Sequence, residues 1–229
     1  HGLSGYPEDG LDHMDGVIDS IIAGGADAIV CQKGVVSHQS SRTGWDGFVC
    51  HVSASTAHGG ENSQSKVKIA SATEALSRGA TGVSGQINLG DENEPEMILD
   101  MGELTTEADV LGIPVLGMVY PRGPNLVTLP NDITGGVAHA ARIAYEMGCH
   151  AVKVPWTGNA ESFRRVCEAV PIPVLIAGGP KDGNFSETLE IVRYAMSAGG
   201  AGVCMGRQVF GAKDPGARIR ALREIVHGA

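Results

Sequence analysis

The sequence predicts an α/β fold built on a parallel sheet. One short unit recurs four times: a glycine, a small residue, any residue, Ala or Gly, and then Ile or Val. In each copy the glycine follows a stretch with apolar residues at helical spacing and precedes a short β-branched run. This order is typical of a helix that leads into a buried parallel strand. The copies begin at Gly25, Gly79, Gly148 and Gly199.

Strands and helices alternate along the chain. Seven apolar runs are expected to form strands, at residues 26–31, 47–52, 80–86, 114–120, 150–154, 173–177 and 201–205. Seven amphipathic stretches are expected to form helices, at residues 11–23, 71–78, 96–111, 133–147, 160–170, 187–198 and 215–227. Asn159 and Asp214 are typical helix N-caps, and Pro215 suits a first helical position.

This alternation predicts a TIM (β/α)8 barrel, a fold that typically has about 250 residues. Seven strands are one fewer than such a barrel contains. We therefore expect one β/α-barrel domain over residues 1–229, which apparently lacks its first strand in the numbered chain. That strand would lie upstream of His1, and His1 and Gly2 would belong to the loop after it.

The composition of the chain restricts the classes of molecule that it is expected to bind. A net charge of −9 and a pI of about 5.3 argue against a nucleic-acid or anionic membrane surface, because both bind clustered Lys and Arg. The five cysteines form no Cys-x-x-Cys pair, which suits a reducing cytoplasm. No apolar stretch reaches the ~20 residues of a membrane span, and no signal peptide opens the chain. We expect a cytoplasmic protein with small soluble ligands.

Lys153 interrupts the apolar run Ala151–Val154. Burial of an ammonium without a partner is costly and lowers its pKa, and the neutral amine is the form that attacks a carbonyl carbon. Barrel active sites form at the carboxyl ends of the strands, so Lys153 is a candidate Schiff-base nucleophile with a lowered pKa. The alternatives are a lysine that only extends its amine to solvent, or Lys33 as the nucleophile.

Tyr120 ends the strand that comes before the lysine strand in the chain. Neighbouring strands are only about 4.8 Å apart, so Tyr120 is a candidate acid/base beside Lys153. The alternative is a tyrosine that packs over the core with its hydroxyl in water. Arg122 follows in the same loop and is either a substrate-binding residue or an exposed arginine.

Two glycine loops follow the last two strands. Gly178 and Gly179 end one strand, and Gly206 ends the next, directly before Arg207. Glycines let backbone N–H groups approach a phosphate closely, and an arginine adds a charged contact. We expect a phosphate site here, with ordinary turn glycines as the alternative. Lys181 faces either this phosphate or solvent.

Metal chemistry has little support in the sequence. The eight histidines show no His-x-His, His-Glu-x-x-His or Cys/His spacing, so we expect no catalytic metal and no cofactor. The polar stretch from Ser53 to Lys66 is interpreted as a loop near the mouth of the barrel rather than as a binding motif.

Several strand-end motifs together resemble the archaeal-type class I aldolases, a family that includes fructose-bisphosphate aldolases and 2-amino-3,7-dideoxy-D-threo-hept-6-ulosonate synthases. The resemblance covers nearly the whole chain, in the same order as in the family. The family opens with Asp-His-Gly, of which this chain has His1-Gly2, and it usually has Tyr and Asp where Trp156 and Asn159 stand. The motifs are Tyr120-Pro121-Arg122-Gly123, Val152-Lys153 with Thr157-Gly158, Ala177 to Lys181, and Gly206-Arg207.

The resemblance implies that Lys153 forms the Schiff base and that Tyr120 transfers protons. It also implies that Gly178, Gly179, Gly206 and Arg207 hold the substrate phosphate, with Lys181, Arg122 and His1 as further candidate binding residues. A homo-oligomer is expected on the same ground.

The implied reaction cleaves a phosphorylated ketose through an iminium and an enamine. In a synthase the three-carbon fragment then joins aspartate semialdehyde, on a route to aromatic amino acids, and this is the preferred interpretation. In a fructose-bisphosphate aldolase the fragment is protonated. A noncatalytic phosphosugar-binding barrel and a phosphosugar isomerase remain open; the isomerase would need a carboxylate or histidine base.

Overall fold

The computed structural model describes residues 10–42, 44–127, 132–178 and 184–228. Its main sheet has seven parallel strands in the order β1-β2-β5-β6-β7-β8-β9. The seven strands expected from the sequence are confirmed, with ends that differ by a few residues. Their bounds are β1 Ile29–Gln32, β2 Phe48–His51, β5 Gly82–Leu89, β6 Val115–Pro121, β7 Ala151–Val154, β8 Val174–Ala177 and β9 Gly202–Cys204.

The seven expected helices are also present in the described residues. They are α1 Met14–Ala23, α3 Ala72–Ser77, α4 Glu94–Leu111, α5 Ile133–Glu146, α6 Ala160–Glu168, α7 Phe185–Ser197 and α9 Pro215–His227. As predicted, Asn159 and Asp214 cap their helices: each side chain accepts a hydrogen bond from a backbone N–H in the first turn. The repeated glycines each adopt a positive φ, which ends the preceding helix; the angles are 87° at Gly25, 94° at Gly79, 86° at Gly148 and 99° at Gly199.

The sequence did not predict three short features. Helix α2 (Lys33–Gln39) directly follows β1, and helix α8 (Arg207–Phe210) follows β9. A two-stranded antiparallel hairpin is inserted between β2 and β5, with β3 at Ser53–Ala54, β4 at Val67–Lys68 and a 3-10 segment at Ala57–Gln64. The stretch expected to be a loop near the mouth is therefore folded.

The sheet curls until its first and last units meet. Helix α1, which comes before β1 in the chain, contacts helix α9, and α9 packs beside β9. The Gly216 backbone N–H donates to Ser20 Oγ at 2.9 Å, and Arg223 donates to the Gly25 carbonyl at 3.0 Å. The curled parallel sheet confirms the barrel architecture expected from the sequence. The additional first strand stays a prediction.

Each strand divides its side chains between two faces. On β7, Val152 and Val154 are fully buried, whereas Ala151 and Lys153 are only partly covered. The valines belong to the main apolar core, which lies between the sheet and the helices. Residues paired across parallel strands share a face, so Met118, paired with Lys153, also lies on the inner face.

Candidate functional site

Polar side chains collect on the inner face at the carboxyl ends of the strands. Lys153 interacts with Tyr120 from β6, Cys204 from β9 and His51 from β2. Strands β2 and β9 are not neighbours of β7 in the sheet, so these contacts cross the inside of the curl. The structure thus brings the two predicted catalytic candidates, Lys153 and Tyr120, into one site.

The protonation state of Lys153 differs from the sequence prediction. Burial disfavours the charged amine, but the interactions with Cys204 and Tyr120, which include hydrogen bonds, outweigh it and raise the pKa of Lys153 from its ordinary value. The expected lowering of this pKa is therefore wrong for the unliganded protein, because the prediction counted desolvation without these partners. Lys153 rests as an ammonium and has to lose a proton before it attacks a carbonyl carbon.

Tyr120 keeps its proton at neutral pH. Burial raises the pKa of its hydroxyl, against the opposing charges of Lys153 and Arg122. A neutral phenol beside the amine donates a hydrogen bond or a proton to a developing oxyanion and accepts it back later. This arrangement matches the acid/base part expected of Tyr120.

Arg122 is held over the Tyr120 ring, with its guanidinium carbon 4.6 Å from the ring centroid. Its Nε donates to Asn88 Oδ1 at 2.9 Å, and Gln86 donates to the same oxygen at 3.0 Å. The turn behind Arg122 is tight, since a Cβ on Gly123 would lie 2.0 Å from the Gly90 carbonyl carbon. Arg122 is exposed, as one of the two alternatives expected, but these contacts orient it at the mouth.

The two glycine loops are joined by one buried side chain. Gln208 Nε2 donates to the Gly178 carbonyl at 3.1 Å, while its Oε1 accepts from Thr188 Oγ1 at 2.8 Å. A Cβ on Gly178 would lie only 2.7 Å from Met205 Cγ, so the loop backbone packs directly against the next strand end. Gly206 precedes Arg207, which is exposed and whose charge acts on Arg122. Gly178, Gly206 and Arg207 therefore lie at one corner of the mouth, as predicted.

Three predicted binding residues, His1, Gly179 and Lys181, lie outside the described residues. Lys33, the rival nucleophile, donates to the Ile69 carbonyl at 2.6 Å and to Glu74 Oε1 at 3.1 Å. These contacts engage the Lys33 amine with a carbonyl and a carboxylate, whereas the Lys153 amine lies beside the Tyr120 hydroxyl. Lys153 is therefore the lysine that has a candidate proton carrier beside it.

Sequence reasoning assigned no catalytic or binding role to four residues that the structure places in the site: His51, Lys66, Asn88 and Cys204. His51 and Asn88 were noted only as members of the polar strand ends. The four residues lie on three strands and the hairpin, so only the folded register joins them to Lys153 and Arg122. His51 Nδ1 lies 2.8 Å from Ser84 Oγ. The position of His51 at a strand end could have identified it from the sequence. Nothing in the sequence marks Cys204 or Lys66 as a site residue.

The described part of the chain has neither a metal-binding cluster nor a membrane-spanning helix. No group of three or more His, Cys, Asp and Glu side chains is placed there to hold a metal ion. None of its helices is long and apolar enough to cross a membrane.

Comparison with known proteins decides the family. A model of the DeoC/LacD family of aldolases matches residues 2–212. The chain belongs to this family. The lysine-dependent aldolase class expected from the strand-end motifs is therefore confirmed.

Three known proteins are similar to this chain over nearly all of its length. A 2-amino-3,7-dideoxy-D-threo-hept-6-ulosonate synthase of Halobacterium salinarum is 38% identical over 227 residues, which cover 99% of this chain and 84% of that protein. A 2-amino-4,5-dihydroxy-6-oxo-7-(phosphonooxy)heptanoate synthase of Streptomyces griseus is 35% identical and covers 100% of this chain and 83% of its own length. An archaeal fructose-1,6-bisphosphate aldolase, solved with its catalytic lysine bound to the carbinolamine of the substrate, has a TM-score of 0.86. It is 28% identical, over 99% of this chain and 90% of that one.

The pKa of the His51 side chain determines how the stability of this fold should change at low pH. Burial lowers the pKa of His51 to about 3, aided by the charges of Lys153 and Lys66. An unfolded histidine titrates near 6.5, so below that pH the unfolded state binds the extra proton and the native state does not. Stability should therefore fall as the pH falls, by up to about 3 kcal/mol at pH 4.5.

Urea unfolding of the wild type and of His51→Gln at pH 7 and pH 4.5 measures this loss. We expect the variant to lose less free energy of unfolding than the wild type over the same interval. Equal losses in the two proteins would show that His51 is not the group that titrates.

Proposed function

We propose that this chain is a Schiff-base aldolase or transaldolase that joins a three-carbon ketone unit to an amino-acid aldehyde, with Lys153 as the nucleophile. The contact of the Lys153 amine with the Tyr120 hydroxyl carries the proposal, because imine formation and C–C bond exchange both need a proton carrier beside the amine. The glycine loops and Arg207 supply the phosphate contacts.

The proposed reaction begins at the ketone of the donor. The Lys153 amine, once deprotonated, adds to the ketone carbon to give a carbinolamine, which loses water to form an iminium. The bond between the α and β carbons then breaks, its electron pair moves into the iminium to give an enamine, and the β-hydroxyl proton passes to a base. Tyr120, placed beside the amine, relays this proton. The enamine attacks a second aldehyde, and water releases the product and the amine.

The names of the two sequence relatives indicate the acceptor. Both products have a carboxylate at C1, an amino group at C2 and a ketone at C6. A ketone at C6 makes C5 the nucleophilic α carbon, so the bond formed joins C5 to C4. The acceptor is then a four-carbon amino-acid aldehyde, which is aspartate semialdehyde. The donor of the Streptomyces relative would carry a phosphate, since its product keeps one at C7.

The second candidate is fructose-bisphosphate aldolase activity, which the structural match to the archaeal enzyme favours. Its acceptor, glyceraldehyde 3-phosphate, carries a phosphate where the amino-acid aldehyde carries a carboxylate. Donor chemistry at the lysine is the same in both.

The experiment has two parts. The full chain is incubated with dihydroxyacetone phosphate or fructose 1,6-bisphosphate and treated with borohydride, and the adduct is mapped by peptide mass spectrometry. We expect an adduct on Lys153. Product formation is then compared between aspartate semialdehyde and glyceraldehyde 3-phosphate, and we expect the higher kcat/KM with the former. An adduct with preference for glyceraldehyde 3-phosphate supports the second candidate, and binding without any adduct refutes both.

A further inference from the structure

The hairpin between β2 and β5 places a lysine at the mouth of the barrel. Lys66 lies directly before β4, and its amine donates to the Ser63 carbonyl at 2.9 Å and to Ser55 Oγ. Hydrogen bonds tie this part of the hairpin to Arg122: Asn88 accepts from Arg122 Nε and donates to the carbonyl of Gln64, two residues before Lys66. The charge of Lys66 also acts on His51. The hairpin therefore brings Lys66 to the mouth beside Arg122.

Lys66 and Arg122 form a pair of like charges. The pKa of Lys66 is lowered by burial and by the charge of Arg122, and the pKa of Arg122 is lowered by burial and by the charge of Arg207. Three cations thus follow one another around the mouth, from the hairpin to the end of β9. Lys66 is half-buried, and Arg122 and Arg207 are exposed. Like charges held close together favour the binding of an anion.

Both members of the pair keep donors for a ligand. An ammonium has three N–H groups, and Ser55 and Ser63 take two of them among the described residues. A guanidinium has five, and Arg122 uses its Nε for Asn88. Asp91 lies near the pair and raises the pKa of Lys66, but it already accepts hydrogen bonds from Ser65 Oγ at 2.6 Å and Asn93 N at 3.0 Å.

The reaction of the proposed function needs two anionic subsites. The phosphate corner, at Gly178, Gly206 and Arg207, accounts for one of them. Every acceptor considered above is also anionic at the end away from its aldehyde: a carboxylate in the amino-acid aldehyde, or a phosphate in glyceraldehyde 3-phosphate. Lys66 and Arg122 form the other cationic group in the described part of this mouth.

We propose that Lys66, together with Arg122, binds the acidic group of the aldehyde acceptor. This proposal rests on the proposed function and deepens it: Lys66 is a specificity-determining residue that selects an oxyanion-bearing acceptor over a neutral one. Two oxyanion sources, carboxylate and phosphate, share this chemistry, and the test distinguishes them.

The test compares acceptors in Lys66→Gln. With dihydroxyacetone phosphate as the donor, kcat/KM is measured for aspartate semialdehyde, glyceraldehyde 3-phosphate and uncharged glyceraldehyde. Loss of a charged hydrogen bond costs about 10- to 100-fold, so the ratio of the acidic to the uncharged acceptor should fall by that factor in the variant. The acidic acceptor whose kcat/KM ratio to glyceraldehyde falls more shows whether Lys66 binds a carboxylate or a phosphate. An unaltered ratio for both acidic acceptors overturns the proposal.

Lys68 provides the matched control. It lies two residues further along the same hairpin and is paired with Glu103 and Asp100. Lys68→Gln therefore removes a charge from the same segment without altering the mouth, and its acceptor ratios should equal those of the wild type. A fall of the same size in Lys68→Gln would show a general effect of the hairpin and overturn the assignment to Lys66.

Binding of unreactive analogues tests the proposal without any measurement of turnover. L-Homoserine and glycerol 3-phosphate carry an alcohol in place of the aldehyde, so calorimetric titration needs no Schiff base. We expect weaker binding of one of them to Lys66→Gln than to the wild type, and equal binding of both overturns the subsite. Borohydride trapping with dihydroxyacetone phosphate involves no acceptor, so failure there refutes the proposed function while the titration still reports on Lys66.

Discussion

Replacement of Lys153 by methionine should abolish the borohydride adduct and lower turnover by about four orders of magnitude or more, because no other step replaces a lost covalent nucleophile. Methionine keeps an unbranched side chain of similar length, so the inner face stays filled. The measurement is peptide mass spectrometry after trapping with dihydroxyacetone phosphate, together with kcat.

Lys33→Met is the control for this prediction. Lys33 ends the β1 unit as Lys153 ends β7, but it is held by Glu74 and the Ile69 carbonyl. We expect this variant to form the adduct on Lys153 as the wild type does, with a melting temperature measured alongside because its ion pair is lost. An adduct that survives in Lys153→Met, or that disappears in Lys33→Met, would assign the chemistry to the other lysine.

Replacement of Tyr120 by phenylalanine should lower kcat by about 10²- to 10⁴-fold, the range for loss of a positioned acid/base group. The ring remains under the Arg122 guanidinium, so the variant removes only the hydroxyl. The borohydride adduct should still form on long incubation, although more slowly, because the Lys153 amine is present and water replaces the phenol poorly as the proton carrier. Loss of kcat with retained trapping would separate proton transfer from nucleophilic attack.

Tyr145→Phe provides a comparison for Tyr120→Phe. Tyr145 lies on α5, is 38% exposed and also has an arginine, Arg142, over its ring at 5.5 Å. Removal of its hydroxyl should leave kcat within about twofold, as is usual for surface substitutions. If Tyr120→Phe behaves in the same way, the phenol only packs against its neighbours and another group carries the proton.

The strand ends explain why so much of the site could be predicted from the sequence. In a parallel sheet all carboxyl ends lie at the same edge. Tyr120, Lys153 and Gly178 are therefore expected at one edge of the sheet whatever the exact register of the strands. The apolar runs fixed the strands, and the glycines with positive φ fixed where each helix stops. Helices α2 and α8 are too short to show a clear period, which is why they were missed.

The remaining features depend on partners that are distant in sequence. The raised pKa of Lys153 comes from Cys204 on β9 and Tyr120 on β6, and neither partner belongs to the run around the lysine. Lys66 lies in a polar stretch with no helical or strand period, and only the hairpin brings it towards Arg122. A strand cysteine is equally compatible with the core and with the inner face, so Cys204 carried no signal.

The hairpin that carries Lys66 stands outside the seven-stranded ladder. Its two strands pair only with each other, and it adds no strand to the main sheet. The nucleophile and phosphate corner belong to the barrel itself, so they cannot change without disturbing the register. Of the two proposed acceptor contacts, Arg122 follows β6 of the barrel, whereas Lys66 belongs to the inserted hairpin. Substitutions in residues 53–68, whether natural or engineered, can thus change which aldehyde is accepted, while the nucleophile and the phosphate corner stay the same.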